Sequence, residues 1–238
     1  MQEVYSPINE EKKVLDFSTI MQKVYFLMAA GLAVTGITAL ITTNNLNLLL
    51  FSFQHIGFLA IAEIVLVLLL STRVEKMGKA ACSIAFFAYA IINGITLAPI
   101  FLVYTESSIA TTFLITASMF VASAVYGKTT KKDITSLGNY LVMGLWGIII
   151  AGIVNILIRS NMLEFAISVV GVVLFIMLIA VDVKTIHQFS RDIERTGLGY
   201  SDDEKIAKVS IMGALTLYLD FINLFLKLLR FFGKRRDQ

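Results

Sequence analysis

The chain has 238 residues, of which 57% are hydrophobic and only 16% charged, and its formal charge is +3. A soluble domain carries about a quarter charged residues, so this composition predicts a polytopic membrane protein. The single cysteine, Cys82, excludes an internal disulfide, and the polar, acidic amino terminus predicts that no signal peptide is cleaved. No basic face interleaved with aromatic residues is present, so nucleic acid is not an expected partner.

Seven apolar blocks are long enough to cross a hydrocarbon core of about 30 Å. They cover residues 24–43, 56–72, 80–104, 109–126, 137–158, 165–181 and 209–232. Lipid offers no partner to unpaired backbone groups and no block alternates like a barrel strand, so all seven blocks are predicted to be helices. The chain then divides into an amino-terminal tail, one seven-helix transmembrane domain and a basic carboxy-terminal tail, at residues 1–23, 24–232 and 233–238.

The lysines and arginines between the blocks are unevenly distributed, which predicts the orientation of the chain. The amino-terminal tail and the loops after blocks two, four and six carry most of them, whereas the other loops carry only Arg159. This pattern predicts a cytoplasmic amino terminus. A seventh crossing then places the basic residues 234–236 on the outer side, against the same rule. We expect block seven to cross, and a re-entrant segment is the alternative.

Few ionisable side chains fall within the blocks or at their ends. They are Glu63, Arg73, Asp182, Asp220, Lys227 and Arg230. A carboxylate in hydrocarbon costs roughly 2.5–3.5 kcal/mol, so Asp220 predicts that the seventh helix is surrounded by protein. Lys227 and Arg230 lie near the end of that helix and are expected to extend to the interface.

The two aspartates could act together. Asp182 and Asp220, if close, would share one proton near neutral pH and convert a pH change into a charge change inside the bundle. Arg73 could bridge to the pair when it is ionised and let go when it is protonated. Carboxylates also favour hard cations such as Ca²⁺. From the residues alone, a structural ion pair that holds the helices in register is an equal alternative.

The motifs of common enzyme classes are missing from the sequence. The two histidines lie at block ends or in loops, no G-x-S-x-G occurs, and no glycine-rich phosphate loop is present. Intramembrane aspartyl proteases also carry two aspartates on consecutive spans, but LIAVD, which ends at Asp182, lacks their G-x-G-D context. The sequence therefore predicts a protein that is not an enzyme and holds no cofactor.

Four segments carry a family resemblance. The strongest is GALTLYLDFINLFLKLLRFFG at residues 213–233; the others are AEIVLVLLLSTRVEKM at 62–77, FFAYAIINGITLAPIFLVY at 86–104 and YGKTTKKDITSLGNYLVMGLWGIIIAGIVNI at 126–156. In order and content they resemble the Bax inhibitor-1 family (transmembrane BAX inhibitor motif proteins), in its bacterial form. The resemblance covers nearly the whole chain.

The resemblance implies six helices around a central carboxy-terminal helix, in the inner (plasma) membrane of a bacterium. It also implies a pH-sensitive Ca²⁺ leak in which Asp182 and Asp220 sense pH, gate the path and contact Ca²⁺. Arg73 corresponds to the latch of the closed form, and Glu63 to a pore-lining acid. The sequence departs from the family after Asp182, where Val183 and Lys184 replace a D-T-Q-like run. Lys184 is therefore expected to hold Asp182 ionised and to compete with the latch.

Two main functions follow. The leading one is a pH-sensitive passive calcium (cation) leak channel, whose partners are the lipid bilayer, calcium ions and protons. The alternative is a non-transporting membrane regulator that binds and restrains a partner such as a membrane protease. A proton-coupled exchanger is a third reading, and the lack of a visible inverted repeat weighs against it.

Overall fold

The structure, a computed structural model, describes residues 17–196 and 203–236. The helices in these ranges are α1 Phe17–Thr43, α2 Leu46–Gln54, α3 Ile56–Arg73, α4 Lys79–Leu97, α5 Ile100–Val103, α6 Glu106–Thr129, α7 Gly138–Ile158, α8 Asn161–Thr196 and α9 Asp203–Phe232. One-turn 3₁₀ helices precede α4 and α7. Long helices satisfy their own backbone groups, which is what an apolar sequence requires in lipid.

Seven segments of the described chain are long and apolar enough to cross a membrane. They are Ile20–Thr43, Ile56–Lys76, Lys79–Val103, Glu106–Thr129, Thr135–Ile158, Asn161–Phe189 and Ile206–Phe232. The prediction of an all-helical membrane protein with seven spans is confirmed.

The first helix begins before the apolar block that predicted it. It starts at Phe17, and Ile20 and Met21 are buried in the core, although Lys23 is exposed. An amphipathic turn therefore extends the helix beyond the block starting at residue 24. The rest of the expected amino-terminal tail, residues 1–16, and the last two residues of the carboxy-terminal tail lie outside the described residues.

The helix α9 is the central one. Of its most apolar stretch 67% is buried, compared with 6% for the span containing α7 and 11% for that containing α3. It packs directly on α1, α4, α6 and α8, whereas α3 packs mainly on α4, and α7 mainly on α8. The expected arrangement of helices around a central carboxy-terminal helix is confirmed, and α3 and α7 lie at the outer edges of the bundle.

The end of α9 lies beside the α5–α6 connection. The Thr105 amide donates to the Lys234 carbonyl at 3.0 Å, and the Arg236 amide donates to the Val103 carbonyl at 3.0 Å. That connection lies at the opposite end of the bundle from the start of α1. We call these ends the distal side and the amino-terminal side. The helix α9 thus runs through the whole bundle and does not turn back, so the basic tail lies on the distal side.

The helices α6 and α8 approach each other closely near Asp182. A Cβ on Gly127 of α6 would lie 2.2 Å from the carbonyl oxygen of Ala180 on α8. Only a residue without a side chain fits there, since small residues are what lets transmembrane backbones approach this closely. Gly127 therefore fixes the position of α6 against the part of α8 that carries Asp182.

Candidate functional site

The side chains of Asp182 on α8 and Asp220 on α9 lie together, within hydrogen-bonding range of each other. Asp220 is buried, with 6% of its surface exposed, and Asp182 is partly buried. Two carboxyl groups can form a hydrogen bond only when one of them carries a proton. The geometry therefore provides a place for one proton between two neighbouring helices.

The register of α8 and α9 explains why the aspartates meet. Gly213 lies beside Ile186, and Gly171 lies beside Lys227, so the two helices are antiparallel. Residue 182 then falls within one turn of residue 220. The sequence placed Asp182 at the end of an apolar block, but α8 continues to Thr196 and α9 begins at Asp203, before the apolar block. Both aspartates consequently lie inside long helices.

The cation expected beside Asp182 contacts another helix. The ammonium of Lys184 donates a hydrogen bond of 2.6 Å to the carbonyl of Thr130, the residue that caps the carboxyl end of α6. Carbonyls at a helix carboxyl end lack partners within the helix, and a lysine commonly satisfies them. Lys184 thus caps α6 instead of pairing with Asp182, contrary to the expectation from its position in the sequence.

Arg73 does not lie at the aspartate pair. It is exposed at the end of α3, which packs mainly on α4. In the parts of the chain that the structure describes, its guanidinium forms no ion pair with Asp182 or Asp220. The structure therefore brings the two aspartates together without the arginine. The Arg73 latch stays a prediction, and it concerns a conformation other than the one described.

Glu63 belongs to a separate polar network on the other side of α9. Its carboxyl group lies close to the side chains of Thr96 and Asn93, and its buried Oε1 has no hydrogen-bond partner in the described structure. The hydroxyl of Tyr218 donates to Asn93 Oδ1 at 3.0 Å and lies 2.6 Å from Thr35 Oγ1. The network links α1, α3, α4 and α9, and its members other than Glu63 and Thr96 are buried. The structure does not bring Glu63 to the aspartate pair.

The network contains residues that the sequence analysis did not single out. Tyr218 is fully buried and packs edge-to-face on both Phe86 and Tyr89. Asn93 and Thr35 are polar residues within otherwise apolar blocks, and this feature of the sequence could have indicated the network. A buried tyrosine hydroxyl needs a partner, and these two side chains supply it.

The aspartates could contact a metal ion only as a pair. Among the described residues, no group of three or more histidine, cysteine, aspartate or glutamate side chains could hold a metal ion. Calcium in a resident site takes about six to eight oxygen ligands. The oxygen Oδ2 of Asp220 is buried and has no hydrogen-bond partner in the described structure. The pair therefore offers a cation fewer oxygen atoms than a resident calcium site provides.

Comparison with known proteins places the chain in a family. The family model described as "Inhibitor of apoptosis-promoting Bax1" matches residues 17–237. The chain is 41% identical to the inner membrane protein YbhL of Escherichia coli (strain K12) over 221 residues, covering 92% of each protein. It is 40% identical over 232 residues to an uncharacterized protein of Borreliella burgdorferi, covering 96% of this chain and 97% of that protein.

A more distant relative supports the same placement. The chain is 33% identical over 220 residues to an uncharacterized membrane protein of Streptococcus pyogenes serotype M3, covering 89% of this chain and 91% of that protein. The matches extend over all seven spans, including the helices that carry the aspartate pair. This chain therefore belongs to the Bax inhibitor family of multi-pass membrane proteins.

Proposed function

We propose that the protein is a pH-sensitive passive leak channel for calcium and related cations, in which Asp182 and Asp220 hold the gating proton. The observation that carries the proposal is the contact between these two carboxyl groups in the interior of the bundle. An acid kept inside a transmembrane bundle is a functional feature by default, because it costs free energy to keep there. Binding or loss of a proton between two helices directly changes the interaction between them.

The proposed cycle starts from the arrangement described above. With one proton shared, the two aspartates hydrogen-bond to each other and have no need of a cationic side chain. Loss of that proton leaves two carboxylates facing each other in a poorly solvated place, and a cation has to compensate them. Arg73 is the proposed latch in that ionised state, and it closes the path until protonation releases it. Flux is therefore expected to be higher at pH 6 than at pH 8.

The path for the ion is proposed to follow α8 and α9. Asp220 is buried in the structure, so a cation reaches it only when these helices separate at their contact. The unpartnered Oδ2 of Asp220 is the oxygen available to a passing cation. Carboxylates attract hard cations, and a small number of ligands lets the ion leave again, which a conducting path requires.

The test is calcium flux into proteoliposomes that contain a calcium indicator. Wild-type protein should admit calcium with a rate that depends on pH between 6 and 8. The variant Asp220→Asn keeps the shape of the side chain but cannot release a proton, so its flux should not change with pH. The matched control is Asp133→Asn, which removes an exposed carboxylate from the α6–α7 connection. It should retain the wild-type pH dependence.

Two outcomes would overturn the proposal. One is the absence of flux at every pH in this range, and the other is an Asp220→Asn variant with unchanged pH dependence. The alternative function, restraint of a membrane partner such as a protease, gives a different result. A partner would then copurify at defined stoichiometry, and neutralising both aspartates would not release it.

A further inference from the structure

A cavity of about 520 Å³ lies between α7 and the helices α8 and α9, in the distal half of the bundle. The α7 wall, from residues 145–156, is almost entirely apolar. The opposite wall includes Glu164 of α8 and Lys227 and Arg230 of α9. Because the span containing α7 is only 6% buried, the cavity lies at the outer edge of the bundle, next to lipid. Its volume is in the range of small-molecule binding sites.

The polar end of the cavity carries one uncompensated positive charge. Arg230 Nη1 lies 2.8 Å from Glu164 Oε1, so these two side chains neutralise each other. The Lys227 ammonium forms no ion pair within the described residues, although Glu164 also lies near enough to attract it, so the three charged side chains leave one net positive charge. Asn223, which also lines the cavity, donates its side-chain amide to the Leu219 carbonyl of its own helix. The charge of Lys227 is therefore left for a ligand.

The stem of Lys227 is held along the surface of α8. A Cβ on Gly171 would lie 3.0 Å from Lys227 Cε and 3.2 Å from its Cδ, so the stem packs on bare backbone. Lys227 is five residues before the end of the span Ile206–Phe232, which is roughly 8 Å along the helix. A lysine that only reached for water would extend along the lipid-facing surface. Here the side chain is partly buried and borders the cavity instead.

We propose that this cavity binds an anionic membrane phospholipid, with its phosphate on Lys227 and the beginning of its acyl chains against the apolar wall of α7. Charge complementarity selects a head group with a net negative charge, and its phosphate accepts a hydrogen bond from the ammonium that is stronger than one between neutral groups. Basic pockets between transmembrane helices on the cytoplasmic side of membranes bind lipid head groups in this way, and the same attraction acts on the distal side. The wall of α7 and the opening towards lipid select an amphiphile over a soluble anion.

The test is native mass spectrometry of the purified full-length protein in detergent, titrated with dioleoyl phosphatidylglycerol, dioleoyl phosphatidylcholine or inorganic phosphate. One phosphatidylglycerol should bind about tenfold more tightly than phosphatidylcholine, because both lipids carry a phosphate but the choline of the latter cancels its charge and is repelled by Lys227. Lys227→Gln should weaken that binding by about tenfold. Lys234→Gln is the matched control, because it removes the same charge on the same side but lies outside the cavity.

A second pair of variants tests the cavity without changing any charge. Gly152 lines the cavity, whereas Gly147 does not, and a Cβ on either glycine would meet nothing within 4 Å. Gly152→Leu should therefore fold normally and exclude the lipid, and Gly147→Leu should fold and bind as wild type does. Equal binding of both lipids, equal binding by Lys227→Gln and Lys234→Gln, or an unaffected Gly152→Leu variant would overturn the site. Saturation by inorganic phosphate with the same affinity would overturn the lipid assignment.

Discussion

Tyr218 and Asp220 lie two residues apart on α9 and point to opposite sides of it. Tyr218 contacts Thr35 on α1 and Asn93 on α4, whereas Asp220 contacts Asp182 on α8. Residues two apart in a helix are separated by about 200° around its axis, so the same turn of α9 contacts helices on both of its sides. The central helix is thus held by the hydrogen bonds of Tyr218 on one side and meets the aspartate pair on the other.

The aspartates should behave as one unit in the proposed leak. Asp182→Asn and Asp220→Asn each remove half of a site that holds one proton, so the double variant should resemble either single variant in calcium flux and its pH dependence. Effects of residues that act as a unit are strongly non-additive. A double-mutant cycle of flux rates measures this directly. Fully additive effects would indicate two independent sites.

Arg73→Ala should raise calcium flux at pH 8 and leave flux at pH 6 unchanged, because the latch is proposed to engage only the ionised pair. The measurement is the same proteoliposome assay at both pH values. Lys76→Ala is the control, since it removes an exposed charge from the same connection. Equal flux of Arg73→Ala and wild type at pH 8 would exclude the latch and leave the proton on the pair as the gate.

Tyr218→Phe should destabilise the protein by about 1–2 kcal/mol, because it removes the hydroxyl that donates to the buried Asn93 Oδ1. For a chain of this size, that corresponds to a fall in Tm of about 2–8 °C. Thermal unfolding in detergent is the measurement. Tyr140→Phe on the exposed side of α7 is the control and should leave Tm unchanged. An unchanged Tm for Tyr218→Phe would show that the network does not hold α9.

Gly127→Ala should cost about 1–3 kcal/mol of stability, since the added methyl group would overlap the Ala180 carbonyl and force α6 and α8 apart. Gly147→Ala meets nothing within 4 Å and should be neutral or slightly stabilising. Thermal unfolding of the two variants side by side provides the comparison. Similar Tm values would mean that the α6–α8 contact relaxes without cost.

Asp133 gives a pH dependence outside the membrane spans. Hydrogen bonds from the hydroxyl and backbone N–H of Thr135 lower the pKa of the Asp133 carboxyl. A group whose pKa is lowered by folding stabilises the protein above its unfolded pKa of about 3.9 and loses this effect as pH falls through the folded value. Asp133→Asn should therefore lower Tm slightly at pH 7, and the difference from wild type should disappear in acid. A constant difference would assign the effect to something other than the carboxylate.

Much of the fold could be predicted from the sequence because hydropathy and length determine which segments cross lipid. The seven apolar blocks correspond to the seven spans, and the buried charge of Asp220 indicated correctly that the last helix is central. Hydropathy alone did not indicate the contact between Asp182 and Asp220, since the apolar block ends at residue 181 while α8 continues for several further turns. A hydropathy boundary marks the edge of lipid, not the end of a helix.

The surroundings of the site were harder to predict for a different reason. Lys184 follows Asp182 closely in the sequence, but residues two apart in a helix point in different directions, and its ammonium reaches α6 instead. Arg73 was assigned a bridge to the pair from its charge and from the family resemblance, but α3 packs mainly on α4 and Arg73 is exposed. Asn93 and Thr35 gave only a weak signal, since single polar residues are common in transmembrane helices.

The short backbone pairing between the end of α9 and the α5–α6 connection makes the distal end of the central helix a fixed pivot. Arg236 adds an ion pair of 3.4 Å to Glu106 at the same place. A helix held by backbone hydrogen bonds at one end moves least there, whereas the other end of α9 is held by side chains, among them Lys208, which donates to the Glu75 carbonyl at 3.2 Å. Displacement of α9 is therefore expected to be graded along its length, and the widest opening should appear on the side where the chain begins.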